Sequence, residues 1–169
     1  MLENNPKIAI IGYARHGKDT VAELLFNQFG LMFMSSSVAA SKLFIYDALK
    51  EKYLYKTPEE CFEDRVNHRA EWFEIIKEYE EKEGLTALSK FIFSFSDIYV
   101  GFRNRKAFEA SVKEGLVDFT IWVDRSEHLP PERKTSMELN KGDADLVLDN
   151  NGSLEELKNK VHRAFKWLA

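Results

Sequence analysis

The chain has one cysteine, Cys61, in 169 residues. A single thiol excludes an intrachain disulfide framework and a cysteine-built zinc site, and it points to a reducing, cytoplasmic setting. No apolar run is long enough to span a bilayer, and no charged-then-apolar leader opens the sequence, so no membrane partner is expected. Excess basic charge is also missing: 24 Lys and Arg stand against 28 Asp and Glu, a net charge of −4. That balance argues against a broad nucleic-acid surface, though it leaves room for a local basic pocket. There is no internal repeat and no low-complexity segment. What the chain does have, 44% hydrophobic and 31% charged residues, fits one domain with a substantial core.

The most informative stretch is Gly12-Tyr13-Ala14-Arg15-His16-Gly17-Lys18-Asp19-Thr20, which directly follows the apolar run Ile8 to Ile11. It matches G-x-x-x-x-G-K, in which glycines let the backbone fold around an anion and a lysine reaches the β- and γ-phosphates of a nucleotide. A strand precedes it and a helix, Asp19 to Phe29 closed by Gly30, follows. The N–H groups and dipole of that helix would add to the anion site. Asp19 stands where a magnesium-binding hydroxyl is usual, and a hydroxyl returns only at Thr20.

The rest alternates between strand and helix, as a parallel sheet flanked by helices requires. Strands are expected at Ile8 to Ile11 (first and central), Leu31 to Met34, Ile98 to Gly101, Val117 to Val123 and Ala144 to Leu148. Helices are expected from Val38 to about Tyr55, from Pro58 to about Lys82 with Thr57 as N-cap, over Thr86 to Phe93, and from Arg103 to Glu114. A last helix is capped by Ser153, with Glu156 in capping-box position. Asp124 to Gly142, with Pro130-Pro131 and few apolar residues, reads as a long surface excursion, and loops of that length in a compact domain are usually functional.

Five strands, a phosphate loop after the first, a helical insertion after the second and an excursion after the fourth make up the plan of the nucleoside monophosphate kinases. The segments GYARHGKDT, YVGFRNRKAFE, FTIWVDRSE and DADLVLDNNGSLEEL narrow this. The chain resembles the phage and bacterial deoxynucleoside monophosphate kinases, which often carry GKDT. The resemblance covers nearly the whole chain and is weakest over Val38 to Phe93. It implies an α/β P-loop kinase domain, 1–169, with a five-stranded parallel sheet: core 1–35, 94–123 and 143–169, an acceptor-binding helical insertion at about 36–93, and a lid at about 124–142. Dephospho-coenzyme A kinase and one class of phosphomevalonate kinase share the general plan.

The activity so implied is transfer of the γ-phosphoryl of ATP, with Mg²⁺, to a (deoxy)nucleoside monophosphate, by a monomer or homodimer in the cytoplasm of a host cell if phage-encoded. Such transfer needs clustered cations and excluded water more than covalent chemistry. Lys18 would bridge the donor phosphates, with Gly12 and the backbone from Ala14 through Gly17 to Thr20 wrapping them. Arg15 and His16 would touch the donor or point to solvent. Asp19 would hold Mg²⁺ directly or through water, or orient the acceptor phosphate, or serve simply as a helix N-terminal carboxylate worth roughly 0.3–1 kcal/mol. Thr20 is the fallback metal ligand.

Arg103 is the leading acceptor-phosphate clamp, at the end of the third strand. Related kinases carry an acid near the Gly101 position; here it is absent, and Asp97 lies too early to replace it. Arg65 and Arg69, four apart, would share one helix face and meet an acceptor, or would pair with Glu60, Glu63, Asp64 and Glu71 on the surface. Trp72 and Phe73 would wall the base pocket or anchor the insertion. Ser36 and Ser37 are candidate substrate contacts or caps. Arg125 and Arg133 are the lid arginines, and Asn150, Asn151 and Gly152 resemble the loop that meets the donor base. A nucleotide-binding regulator without turnover is the alternative of a different class.

Overall fold

Four consecutive apolar residues, Ile8–Ile11, form strand β1, and all four are fully buried. A strand covered on both faces has no need of polar alternation, which is why this run is continuous. In the computed structural model, which describes residues 5–168, β1 lies at the centre of a five-stranded sheet. The other strands are β2 (Phe33–Ser35), β3 (Ile98–Val100), β4 (Phe119–Asp124) and β5 (Leu146–Asp149), in spatial order β2-β3-β1-β4-β5. Every pairing is parallel; Ile8 stands beside Ile98 on one side and Phe119 on the other.

Two helical layers cover the sheet. On one face Ile8 and Ile10 pack with Val21, Ala22 and Leu25 of α1 (Lys18–Phe29) and with Leu157, Val161 and Phe165 of α8 (Leu154–Phe165). On the other, Ala9 and Ile11 pack with Leu88 and Ile92 of α6 (Ala87–Phe95) and with Phe108 of α7 (Arg105–Lys113). Residues 36–83 form a further helical group: α2 (Ser36–Ala40), a π-helical stretch Ser41–Ile45, α3 (Tyr46–Tyr53), α4 (Pro58–Asp64) and α5 (Arg69–Glu83). This group holds a small core of its own, Ala40, Ile45, Leu49, Cys61 and Trp72. Among the described residues no helix is long and apolar enough to cross a membrane.

Several elements differ from the sequence reading for identifiable reasons. Strand β2 falls two residues late, because Met32 bends to accept the Asp97 and Ile98 amides on its carbonyl while its own amide donates to the Asp97 carboxylate. The helix expected from Pro58 to Lys82 breaks after Asp64. Asn67 and His68 both bond the Asp64 carboxylate, at 2.6 and 3.0 Å, and draw Arg65–Asn67 into a 3₁₀ turn. Helix α7 starts at Arg105 and not at Arg103, since Asn104 is its N-cap and accepts the Lys106 amide. The excursion after β4 is not purely superficial: Met137 and Leu139 are buried in the core against Trp122. Its one helical turn, Lys141–Asp143, is 3₁₀, closed by an Asn140–Asp143 capping box.

The loop between β1 and α1 fits against the neighbouring strands with no space to spare. A Cβ on Gly12, where φ is +146°, would lie 2.7 Å from the Val123 carbonyl oxygen. Gly115 also has a positive φ, +71°, but open space around it. Gly12→Ala is expected to cost at least about 2 kcal/mol through strain plus backbone overlap, and Gly115→Ala only about 1 kcal/mol for the left-handed conformation. Urea unfolding of the two variants measures the difference, and equal costs would mean that Val123 yields to the added methyl.

Candidate functional site

The loop that follows β1 is built for an anion. Gly17, at φ +99°, is the N-cap of α1 and offers no side-chain acceptor, so the first N–H groups of the helix stay free. Arg15 holds a left-handed φ of +63° at the tip, with its side chain exposed. Lys18 curls back, and its Nζ donates to the Tyr13 carbonyl at 2.8 Å. The lysine is only 9% exposed. Burial, aided by the nearby Arg103 guanidinium, lowers its pKa to about 7, with Glu132 and Asp19 pulling the other way.

The ends of β4 and β5 brace this loop. The Asn150 side chain donates to the His16 carbonyl at 2.9 Å, and the Arg125 amide donates to His16 Nδ1 at 2.9 Å. Arg125 Nη1 in turn donates to the Asn150 carbonyl at 3.0 Å. The His16 ring is therefore neither in solvent nor turned to the mouth of the loop; it is fully buried, and burial lowers its pKa. Its place in the loop is internal support. Asn150 likewise spends its amide, carbonyl and carboxamide N–H on Asp124, Arg125 and His16. Asn151 donates its amide to Asp149 within its own turn, and its Oδ1 accepts the Glu127 amide from the excursion after β4. Gly152 is needed for the cap of α8, because a Cβ there would collide with the Glu156 carboxylate.

Beside the loop opens a crevice. Three arginines line it: Arg65, Arg69 and Arg103. Although the helix between them is broken, the 3₁₀ turn and the start of α5 leave Arg65 and Arg69 on the same crevice. Three of the four acids expected to pair with them are engaged elsewhere. Asp64 takes Tyr55, Asn67 and His68; Glu71 takes Lys52 and Tyr53; Glu60 takes the Lys56 amide. Among the described residues neither arginine has an ion pair. Arg65 lies 3.6 Å over the Phe62 ring and donates to the Phe62 carbonyl. Burial lowers the pKa of both guanidinium groups, helped at Arg65 by the charges of Arg69 and Arg103 and opposed by Asp19, and at Arg69 opposed by Glu132 and helped by Arg103 and Arg15.

Arg103 does have a carboxylate partner, one that sequence reasoning missed. Glu132 Oε1 and Oε2 accept from Arg103 Nη1 at 2.8 and 2.9 Å, and Oε2 also accepts the Ala14 amide at 2.6 Å. A carboxylate from the excursion after β4 thus occupies a loop amide and the clamp arginine together. Nothing in the sequence sets Glu132 apart from the other acids. Arg133 beside it is exposed. Asp19 is exposed at the first turn of α1 and Thr20 follows it half-buried. No group of three or more His, Cys, Asp or Glu side chains that could hold a metal occurs among the described residues. A Mg²⁺ bound through one carboxylate, waters and nucleotide phosphates needs no such cage, and Asp19 fits that use.

Further in, the crevice is walled by Trp72, Phe73 and Ile76 and floored by Glu80, Tyr99 and Asn104. Ser36 and Ser37 lie along it; the Ser36 hydroxyl donates to the Gly101 carbonyl at 3.0 Å. Trp72 is both wall and anchor, being 4% exposed within the core of the helical group. Glu80 is 2% exposed, bonded by Asn104 Nδ2 at 2.8 Å, and burial raises its pKa to about 7. Glu80 was legible in principle, since Arg69, Trp72, Phe73, Ile76 and Glu80 follow helical spacing along one stripe of α5. Arg105 is outside the crevice, bonded to both carboxylate oxygens of Asp143.

No protein-family model and no curated protein matches the chain. Solved structures do. A gluconokinase from Sinorhizobium meliloti 1021 is similar over 98% of this chain and 94% of its own, at 14% identity and a TM-score of 0.53. A shikimate kinase from Bacteroides thetaiotaomicron is similar over 96% and 99%, at 9% identity and 0.51. One from Acinetobacter baumannii, in complex with shikimate, is similar over 98% and 94%, at 13% and 0.51. At such identities the likeness shows the fold: this is a P-loop kinase fold, with its five-stranded parallel sheet between helices.

Two outcomes follow from the loop's electrostatics. Lys18, with a folded pKa of about 7 against an ordinary 10.5, is neutral in the folded protein and charged in the unfolded one between those values. Its charging therefore opposes folding most below pH 7, and that opposition fades as pH rises toward 10.5. A bound polyphosphate restores the proton. At pH 8, inorganic triphosphate is expected to bind with uptake of close to one proton, read by calorimetry in buffers of different ionisation enthalpy, and to bind more weakly as pH rises. Glu132→Gln removes a competing anion from Ala14 and Arg103, and is expected to tighten triphosphate by about tenfold. Weaker binding would mean instead that Glu132 holds the loop in its binding form.

Proposed function

We propose that the chain transfers the γ-phosphoryl group of ATP to the phosphate of a deoxynucleoside monophosphate, giving the diphosphate and ADP. The observation that carries this reading is a second anion crevice, lined by Arg65, Arg69 and Arg103, opening beside the loop that holds Lys18. Two polyanions must be brought together for such transfer, and cations shared between them are what the chemistry requires. A phosphate oxygen of the acceptor attacks the γ-phosphorus, the bond to the β-phosphate oxygen breaks, and the electron pair leaves with ADP. Lys18 neutralises the donor phosphates, while Arg65 and Arg69 hold the acceptor phosphate. Arg103, near Lys18 and on the crevice wall, serves the bridging group.

Asp19 would hold Mg²⁺, with Thr20 beside it; the ion supplies charge neutralisation on the donor phosphates when bound. Residues 36–93 then act as the acceptor-binding insertion and residues 124–142 as the lid. In this reading Glu132 swings away as the phosphates enter, and Arg125 and Arg133 close over the donor. Arg125 is rooted through Asn150, so it needs little movement; Arg133, exposed as it stands, turns inward. Asn150 and Asn151 spend their backbone groups within the protein, so in this reading Gly152 is the residue of that turn whose backbone meets the donor base.

A second reading keeps ATP and changes the acceptor. The fold neighbours include kinases named for gluconate and shikimate, both hydroxy acids. Arginines grip a carboxylate as well as a phosphate, so the same crevice could hold a hydroxy acid. The long apolar wall of Trp72, Phe73 and Ile76 favours the nucleotide, which has a ring to cover.

A coupled assay with ATP and Mg²⁺ decides among these, using deoxy- and ribonucleoside monophosphates, dephospho-coenzyme A, phosphomevalonate, gluconate and shikimate as acceptors. Turnover on deoxynucleoside monophosphates is expected. Lys18→Ala should lower kcat by roughly a hundredfold or more, and Arg103→Ala should raise the acceptor KM as well as lower kcat. Turnover on hydroxy acids alone supports the second reading. No turnover on any acceptor, with tight nucleotide binding, overturns the enzyme and leaves a nucleotide-binding regulator. Unchanged acceptor kinetics in Arg103→Ala would move the acceptor site elsewhere.

A further inference from the structure

Helix α5 lays a graded stripe along the crevice. Arg69 stands at its first turn, Trp72, Phe73 and Ile76 follow, and Glu80 comes at the far end. Eleven residues of helix separate the cation from the acid, about 16 Å along the axis. Both side chains line the same crevice. A ligand that runs the length of the stripe is anionic at one end, flat and apolar in the middle, and hydrogen-bonding at the other. A carboxyl group buried at that far end is costly unless its oxygens find partners. Among the described residues only one of them does: Oε2 accepts from Asn104 Nδ2 at 2.8 Å.

Asn104 is itself fixed. Its Oδ1 caps α7 by accepting the Lys106 amide at 3.1 Å, so its N–H side is the one that faces Glu80. Glu80 Oε2 is thereby held as an acceptor, and the other oxygen is left for whatever enters the crevice. The other groups that bear on this carboxyl are the Tyr99 hydroxyl and the Glu138 carboxylate. Neither is hydrogen-bonded to it.

We infer that Glu80 selects the acceptor by the far edge of its ring, its free oxygen taking an N–H from the base of a nucleoside monophosphate. This rests on the reading of the crevice as an acceptor site for nucleotides. Rings that carry an N–H at the edge, as guanine does at N1 and thymine at N3, satisfy the carboxylate. Rings whose corresponding nitrogen is bare, as in adenine and cytosine, set a lone pair against it and reach it only through the exocyclic amino group to one side, a shifted and weaker pairing. Above pH 7, the value to which burial raises it, the carboxyl is ionised and acts only as an acceptor.

Glu80→Gln tests this because Asn104 dictates how the new side chain turns. The glutamine carbonyl must take the Asn104 N–H, which puts the NH₂ group where the free oxygen was. Acceptor becomes donor with shape unchanged. At pH 8 the wild-type protein is expected to favour guanine and thymine monophosphates over adenine and cytosine ones by on the order of tenfold to a hundredfold in kcat/KM. Glu80→Gln should reverse that order while leaving the KM for ATP unchanged. Calorimetric binding of the same four monophosphates to both proteins runs in parallel. Reversal in binding without any turnover keeps Glu80 as the selector and overturns phosphoryl transfer. Turnover with no change of preference, or with an equal loss on all four, overturns the role of Glu80 and leaves the transfer reading standing. Absence of both turnover and binding overturns both. Should the glutamine variant fail to fold, Asn104→Asp keeps the cap of α7 and removes the N–H that orients Glu80; the wild-type preference is then expected to vanish, and its survival would overturn the inference.

Discussion

Positive charge gathered in a half-buried space is the constraint around which this molecule is arranged. Arg65, Arg69 and Arg103 line one crevice, Lys18 lies close enough for Arg103 and Arg69 to lower its pKa, and among the described residues Glu132 alone forms an ion pair with any of them. Uncompensated charges out of water are expensive, and truncating one partner of such a set costs far more than the pair contributes. A core held together only loosely would splay these side chains into solvent. Here they are rooted on separate rigid elements: α1, the turn before α5, α5 itself and the end of β3. A bound anion would offset that cost, which is why the arrangement reads as a binding site and not as a stabilising network.

The sheet is what keeps those roots in place. The strands are parallel and consecutive in their register, so the ends of β1, β3 and β4 all open to the same edge, where ligands of open α/β sheets bind. Gly12 lies against the Val123 carbonyl, and Asn150 reaches from beyond β5 to the loop at His16. A Cβ on Gly17 would fall 2.3 Å from that same Asn150 amide. Packing in the core and geometry at the loop are thus one problem.

Local signals were readable and relational ones were not. The strand-loop-helix around Lys18, the cap at Thr57 and the capping box at Ser153 and Glu156 depend on neighbours in sequence, and the structure has them. The break after Asp64 depends on Asn67 and His68 folding back onto one carboxylate, which periodicity does not register. Arg65 and Arg69 were recognised by type, yet the reason they are free of ion pairs is that Asp64 and Glu71 are taken by Tyr55, Tyr53, His68 and Lys52. Glu132 could not be singled out among 28 acids, since its meaning comes from a contact 118 residues away with Ala14. Glu80 lay within reach, because an acid on the apolar stripe of α5 contradicts the pattern around it.

The acid that the resemblance leads one to expect near Gly101 has a structural counterpart, though in an unexpected place. At Gly101, φ is +98° and a Cβ would meet the Ser36 hydroxyl at 3.1 Å, so a carboxylate side chain on that residue would need both a strained backbone and a displaced serine. The carboxylate that faces Arg103 comes instead from Glu132, on the long excursion between β4 and β5. Moving the compensating charge from a strand end to a loop has a consequence. A carboxylate on β3 would neutralise Arg103 whether or not a ligand were present. One at residue 132 does so only while the excursion lies over the crevice, so the electrostatic pull on an incoming anion and the position of that segment become a single variable. In the proposed reaction, a phosphate that displaced Glu132 from Ala14 and Arg103 would take over its two hydrogen-bonding partners, and the exchange would expose little uncompensated charge at any step.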